Sequence, residues 1–173
     1  MTINKSYLAY SVIGIVVCTV GQVVHTLPEG TAVIGVTSLA DEVYVLRHKE
    51  STIGQIEVYD AITFRLRCRL TVPNLGRAND MSSCEHYRCL YISDYFAACV
   101  HRLVIAGAAT RWAVNDKPRS LSVNAAHNLI VICYEVSKIK EFSSHGDLLR
   151  ELTLHRDVAS PMQAVQTLSL IHI

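Results

Sequence analysis

The chain has 173 residues, of which 50% are hydrophobic and 18% are charged, and its formal net charge is +1. This composition suffices for one domain with an apolar core and excludes an intrinsically disordered chain. The balanced charge lacks the electrostatic footprint of a general binder of nucleic acid or membrane surfaces, so we expect no DNA partner. Six cysteines are too few for a disulfide-rich scaffold.

The N-terminal segment at residues 6–24 carries no charged side chain over 19 residues. Three interpretations stay open: a membrane-spanning helix, a signal peptide, or a spurious start followed by the last strand of a preceding repeat at residues 21–28. We expect a cytoplasmic protein. A secreted or membrane-anchored protein follows only if this segment is a genuine signal or anchor.

An internal repeat organises the rest of the chain. Segments that begin at Gly35, Asp80, Ser120 and Pro161 resemble one another, and their starts are 45, 40 and 41 residues apart. In the first three units, three more short runs rich in Val, Ile, Leu or Tyr follow. These runs are residues 43–46, 90–93 and 129–132, then 56–60, 100–104 and 139–143, then 65–72, 110–115 and 148–154. Four short strands in a unit of about 40 residues are typical of β-propeller blades.

Glycine precedes the fourth run in two of the units, as Gly107 and Gly146. Tight hairpin turns require a positive φ, which glycine adopts at low cost, so we predict hairpin turns at both positions.

Apolar and basic side chains alternate strictly in the fourth run of the first unit. The apolar set is Phe64, Leu66, Cys68 and Leu70, and the basic set is Arg65, Arg67 and Arg69. Alternation with a period of two predicts a half-buried strand, and the arginines suit the exposed edge of a sheet.

The order of these elements resembles NHL-type propeller repeats over residues 31–167. The apolar first strand is followed by Leu90-Tyr-Ile-Ser-Asp94, then Val100-His-Arg-Leu103, a glycine turn and a closing apolar strand. Asp94 and Gly146 occupy positions at which that family carries Asp after the second strand and Gly before the fourth. The resemblance implies an all-β fold: a partial β-propeller with about three four-stranded antiparallel blades and the start of a fourth. It also implies a non-catalytic binding module whose partner is a protein, with RNA binding and a propeller enzyme with a central metal as alternatives.

The predicted boundaries place an uncertain segment at 1–30, blades at 31–75, 76–116 and 117–158, and the start of the next blade at 159–167. About three and a third units fall short of the four to eight blades with which propellers close, so we expect a piece of a larger propeller. Residues 168–173 resemble a translated sequencing adapter, and a genuine apolar strand end is the alternative.

Cys84 and Cys89 are the only close cysteine pair, and they face each other across a predicted hairpin. We favour two free thiols, with a cross-strand disulfide as the alternative. The histidines and cysteines show no metal-ligand spacing, and signatures of hydrolases and nucleotide-binding loops are absent, so we predict no metal, no cofactor and no catalytic residue. We therefore expect this chain not to be an enzyme, and leave the activity of a longer parent protein open.

Loops between strands are the predicted contact surfaces, at residues 47–55 and 95–99. The candidate binding residues there are Arg47, His48, Lys49 and Tyr95, and the basic strand adds Arg65, Arg67 and Arg69 for RNA. Acidic residues interleave with these cations, which favours a solvated mixed surface over an RNA site. A membrane partner is expected only if residues 6–24 form a true anchor.

Overall fold

The computed structural model describes backbone and side chains over residues 32–47 and 54–155, and the backbone of five further strands. Those strands are β1 (Ala9–Ser11), β2 (Gly14–Thr19), β3 (Gln22–Thr26), β16 (Val165–Gln166) and β17 (Ile171–His172). β1–β3 form a three-stranded antiparallel sheet, and β16 pairs with β17. Apart from that strand backbone, the predicted start of a fourth blade at 159–167 and the adapter segment at 168–173 lie outside the described residues. In the described part of the chain, no helix is long and apolar enough to span a membrane.

Three consecutive four-stranded antiparallel sheets make up the described core, and we call them blades 1, 2 and 3. Blade 1 comprises β4 (Val33–Leu39), β5 (Glu42–Arg47), β6 (Gln55–Asp60) and β7 (Leu66–Thr71). Blade 2 comprises β8 (Ala78–Cys84), β9 (Cys89–Asp94), β10 (Cys99–Val104) and β11 (Ala109–Ala113). Blade 3 comprises β12 (Pro118–Val123), β13 (Leu129–Cys133), β14 (Lys138–Phe142) and β15 (Leu148–Thr153). In each blade the strands lie in chain order. This arrangement confirms the predicted all-β class and the four strands predicted for each unit.

The central strand β9 shows why these runs are apolar without interruption. Leu90 and Ile92 point into a core shared with blade 1, whereas Cys89 and Tyr91 point into a second core shared with blade 3. All four side chains are fully buried. A strand that is covered on both faces must be apolar on both faces, so its sequence shows no alternation.

The first strands of consecutive blades lie side by side. A Cβ on Gly35 would lie 3.0 Å from the Met81 backbone nitrogen, so glycine permits the close approach of β4 to β8. The Thr37 and Ser83 hydroxyls are 2.8 Å apart, and Ser83 Oγ also donates to the Ser38 carbonyl at 2.7 Å. Small and hydroxylic side chains therefore hold the innermost strands of blades 1 and 2 together.

The two predicted glycine turns differ. Gly146 has a φ of +95°, as predicted for a tight turn. Gly107 lies in the turn between β10 and β11 but does not adopt a positive φ. The conformational reason given for Gly107 was therefore wrong, although the turn itself is where it was predicted.

The alternation predicted for residues 64–70 holds only in part. Phe64 has a φ of +52° and lies outside β7, which begins at Leu66, so its side chain is not in register with the strand. Within β7, Leu66 and Cys68 are exposed and Leu70 packs partly against the core, as Phe64 does just before the strand. As the last strand of its sheet, β7 is an edge, as predicted, but it is not half-buried along its length.

Candidate functional site

The strand register sorts the loops onto two edges of the blades. At one end of blade 2, Asp94 pairs with Ala78 on one side and with Cys99 on the other, and Cys99 pairs in turn with Ala113. The linkers between blades and the turns after each second strand therefore share this end. We call this surface the linker edge; it comprises the linkers 72–77 and 114–117, the turns 95–98 and 134–137, and residues 118–119 at the start of β12.

Three cations lie over aromatic rings along the linker edge. The Arg77 guanidinium is 5.4 Å from the Phe96 ring centroid, and the Lys117 ammonium is 5.0 Å from that of Tyr95. One blade further on, the Arg119 guanidinium is 4.6 Å from the Tyr134 centroid. Such contacts orient a cation while leaving its N–H donors available to a ligand.

Glu135 joins two of these groups across the boundary between blades 2 and 3. Its Oε1 accepts hydrogen bonds from Tyr95 Oη at 2.5 Å and from Lys117 Nζ at 2.9 Å. These bonds lower the pKa of Glu135 and raise the pKa values of Tyr95 and Lys117. All three pKa values move further from pH 7, so Tyr95, Lys117 and Glu135 each keep one protonation state near neutral pH. We call these three residues the Glu135 trio. A fixed protonation state suits positioning and electrostatics rather than proton transfer.

Beneath the turn 95–98 lies a buried cluster of Asp94, Cys99 and His101. His101 Nε2 is 3.4 Å from Asp94 Oδ2 and 3.5 Å from Cys99 Sγ. The Asp94 carboxylate also accepts backbone N–H bonds from Gly76 at 2.6 Å, Ala97 at 3.1 Å and Arg77 at 3.3 Å. It thereby ties the linker between blades 1 and 2 to the turn that carries Tyr95.

This cluster is not arranged as a nucleophilic relay. A relay needs the thiol on one ring nitrogen of the histidine and the carboxylate on the other, whereas both contact Nε2 here. Burial raises the pKa of the Cys99 thiol, which disfavours the thiolate. Burial also lowers the pKa of His101, against the opposing effect of Asp94. Sulfur, imidazole nitrogen and carboxylate oxygen within 4.8 Å of one another are, however, a donor set that a metal ion could use.

The predicted binding residues do not converge on one site. Tyr95 lies on the linker edge, whereas His48 and Lys49 fall outside the described residues. Arg47 is mostly buried, and its Nε donates to Glu57 Oε2 at 2.8 Å.

The basic triplet of β7 is largely neutralised by carboxylates. Arg67 pairs with Asp41 at 2.9 Å, Glu42 at 3.0 Å and Asp60 at 2.5 Å. Arg69 lies 3.4 Å from Glu57, and Arg65 is exposed. Salt bridges therefore occupy two of the three arginines predicted as an RNA surface, and RNA binding at this strand stays a prediction.

Cys84 and Cys89 are directly opposed in the β8–β9 register. Both are buried, and both are free thiols in this structure. Burial raises the pKa of Cys84, so the thiol form is favoured there.

Sequence reasoning missed most of the residues that the fold brings together. Arg77, Phe96 and Glu135 belong to three different loops, and their proximity depends on how successive blades pack. The buried cluster did carry a local signal, since Asp94-x4-Cys99-x-His101 spans a single hairpin. A search for metal-ligand spacings such as His-x-x-x-His overlooks that pattern.

The blades are similar to solved propeller structures. Virginiamycin B lyase from Staphylococcus aureus matches with a TM-score of 0.69 and 16% identity, over 88% of this chain and 52% of that chain. A catalytically inactive histidine-to-alanine variant of the same lyase, solved with quinupristin, matches with a TM-score of 0.61 and 15% identity, over 75% of this chain and 44% of that one. Hsv2 from Kluyvelomyces marxianus matches with a TM-score of 0.59 and 13% identity, over 88% of this chain and 46% of that one. No protein-family model matches the sequence, and no curated protein matches it.

These comparisons confirm the propeller architecture. The chain spans about half the length of the solved structures it matches, with 44% to 52% of the lyase chains covered. They also contradict the prediction of a non-catalytic binding module, because the fold on which that prediction depended is the fold of a lyase.

Proposed function

We propose that these blades belong to a propeller enzyme whose linker edge binds an organic substrate with an anionic group and an apolar or aromatic part. The observation that carries the proposal is the row of cations held over aromatic rings at Arg77, Lys117 and Arg119. Two of these cations are available to bind an anionic group, and the third is not. Lys117 is paired with Glu135, whereas Arg77 and Arg119 have no carboxylate partner among the described residues.

Arg77 and Arg119 are suited to an anion because guanidinium forms bidentate hydrogen bonds with carboxylates and phosphates. Phe96 lies beneath Arg77 and is 67% exposed, so it offers ring surface to an apolar group. The similarity to lyases supports an enzyme built on this fold, and the directions of the pKa shifts of Tyr95, Lys117 and Glu135 support recognition rather than proton transfer at this edge.

The NHL type is part of the same proposal, and two positions support it. Asp94 is the last residue of β9, the second strand of blade 2, and its carboxylate accepts hydrogen bonds from three backbone N–H groups. Gly146 precedes the fourth strand of blade 3 with a positive φ. Both residues thus have physical roles at the positions where NHL repeats carry them.

The binding step is tested with anilinonaphthalene sulfonate, a fluorescent probe that combines aromatic rings with one sulfonate. Replacing Arg77 and Arg119 together by Gln removes two charge-assisted hydrogen bonds of about 1.5–3 kcal/mol each, so the affinity should fall at least about tenfold. The matched control is Arg65→Gln with Arg88→Gln, which removes the same charge from exposed turns at the opposite edge. Equal loss of affinity in both double variants would contradict a specific site at the linker edge.

Catalysis is tested separately with aromatic carboxylates and sulfonates that displace the probe. Each is incubated with the chain and followed by mass spectrometry. A compound consumed by the native chain but not by the Arg77→Gln, Arg119→Gln variant identifies the substrate class. Compounds that bind and are never consumed would contradict the enzymatic part of the proposal and leave the binding part intact.

A further inference from the structure

The Asp94, Cys99 and His101 cluster has the donor set of a transition-metal site. Zinc in proteins is bound by thiolate sulfur, imidazole nitrogen and carboxylate oxygen, whereas magnesium and calcium take oxygen ligands alone. All three side chains are almost completely buried, with exposures of 0%, 5% and 1%. A metal held here would lie inside blade 2, directly beneath the turn that carries Tyr95 and Phe96.

Two of the three separations between donor atoms agree with tetrahedral zinc. Bonds of about 2.0–2.3 Å at tetrahedral angles separate ligand atoms by roughly 3.3–3.6 Å. The observed separations from His101 Nε2 are 3.4 Å to Asp94 Oδ2 and 3.5 Å to Cys99 Sγ. The third separation is within 4.8 Å, so a small rotation of the Cys99 side chain would complete the triangle.

The carboxylate is held in place for this role. Its two oxygens offer about four lone-pair sites, and the N–H groups of Gly76, Arg77 and Ala97 take three of them. Oδ2, which accepts from Gly76, keeps one lone pair and is the oxygen nearest His101. Backbone donors that orient a ligating carboxylate are the usual outer partners of a metal site.

Charge decides which ion suits this buried position. One thiolate, one carboxylate and one neutral imidazole carry a charge of −2, which a divalent cation neutralises. A neutral complex avoids the large cost of burying an unpaired charge. Binding would release the Cys99 proton to solvent and place the remaining imidazole proton on Nδ1 of His101.

We propose that Asp94, Cys99 and His101 bind a zinc ion that braces the linker edge. This site is independent of the proposed substrate, because its ligands lie inside blade 2 and not on the exposed rings. It is distinct from the central metal considered as an alternative in the sequence analysis, since β9 and β10 are not the innermost strands.

The test is titration of the native chain with cobalt(II), whose tetrahedral thiolate complexes absorb in the near ultraviolet, followed by displacement with zinc. We expect a thiolate-to-cobalt charge-transfer band that saturates at one equivalent and disappears when zinc is added. Cys99→Ser should abolish the band, and His101→Gln should weaken cobalt binding at least tenfold. The matched control is Cys133→Ser, which alters a buried cysteine of blade 3 and should retain the band.

Both ligand variants leave Asp94 and its backbone bonds in place, and circular dichroism verifies that each variant is folded. A folded native chain without the band overturns the proposal. A band that persists in Cys99→Ser also overturns it, because a different thiol would then bind the metal.

Discussion

Gly146 couples the backbone of one blade to the packing of its neighbour. Its φ of +95° is accessible to glycine at low cost, and a Cβ placed there would lie 2.6 Å from Cγ and Cδ2 of Trp112 in blade 2. Trp112 packs in turn on Phe142 and Tyr91 in the core between blades 2 and 3. A side chain at this turn would therefore disturb both the local backbone and the interface.

Gly146→Ala should lower the free energy of unfolding by about 2–4 kcal/mol, because backbone strain and overpacking of Trp112 add. Urea denaturation monitored by circular dichroism measures the change. Gly107→Ala is the matched control, since its Cβ would lie 3.9 Å from Val104 in the equivalent turn of blade 2 without a positive φ. We expect the control to change the stability by less than about 1 kcal/mol. Similar losses in the two variants would contradict the role assigned to Trp112.

Other turn residues show where prediction from sequence stops at this scale. Ala98 and Ser137 end equivalent turns of blades 2 and 3 with a φ of +48° each. Neither residue type favours that conformation, so no local signal marks them. The pairing of the flanking strands imposes the backbone there, and it becomes visible only in the assembled hairpin.

At the scale of the strand, β5, β6 and β7 are linked by one carboxylate. Glu57 on β6 accepts hydrogen bonds at 2.8 Å from Arg47 Nε on β5 and from Tyr59 Oη on its own strand. Arg69 on β7 adds a longer contact at 3.4 Å. Burial alone would raise the pKa of Glu57, but these hydrogen bonds outweigh burial and hold it below its ordinary value.

This shift predicts an acid-sensitive contribution to stability. A carboxyl group whose pKa is lower in the folded state stabilises the fold above its ordinary pKa of 4.5 and loses that effect as the pH falls below it. Glu57→Gln should cost about 1–3 kcal/mol at about pH 7, and the difference from the native chain should shrink towards about pH 3.

Urea denaturation at several pH values tests the acid sensitivity. The matched control is Glu85→Gln, which alters an exposed carboxylate in the turn 85–88. A stability difference for Glu57→Gln that stays constant from neutral to acidic pH would show that the side chain contributes through packing rather than through its charge.

The strands themselves were predictable because each apolar run is bounded by turn residues. Runs such as 90–93 and 129–132 became β9 and β13, with boundaries within a residue or two. The exposure of β7 was not predictable, since alternation specifies two faces and does not say what covers either one. The salt bridges of Arg67 likewise depend on Asp41 and Glu42 at the start of β5 and on Asp60 at the end of β6, which lie at two other points of blade 1.

At the scale of the whole molecule, each blade packs against the blade that precedes or follows it in the chain. Repeat proteins of this kind derive stability from the interfaces as well as from each unit. Asp80 on β8 spans the interface between blades 2 and 3. Its Oδ2 accepts a hydrogen bond from Ser120 Oγ at 2.9 Å and another from the Leu121 backbone nitrogen at 2.8 Å.

The linker edge belongs to this scale too, which explains why its residues escaped sequence analysis. Tyr95 was identified from its loop, but its partners Lys117 and Glu135 are 22 and 40 residues further along the chain. Their contact follows from the rotation between successive blades rather than from any run of residues. The repeat period therefore predicted the blades, and only the packed interface revealed the candidate site.

Asp80→Ala should uncouple blade 3 from blade 2. It removes two hydrogen bonds across the interface and leaves the Leu121 N–H in a partly buried position without its acceptor, which should cost about 1–3 kcal/mol. Because the lost bonds join two units, we also expect a broader urea transition with a lower m-value, as blade 3 begins to unfold separately.

Asp147→Ala is the matched control, since that carboxylate accepts a hydrogen bond from Ser143 Oγ within its own turn at 2.8 Å. Asp147→Ala should leave the m-value unchanged. If Asp80→Ala lowers stability and the transition stays as steep as in the native chain, the blades remain one cooperative unit and Asp80 acts as a local contact only.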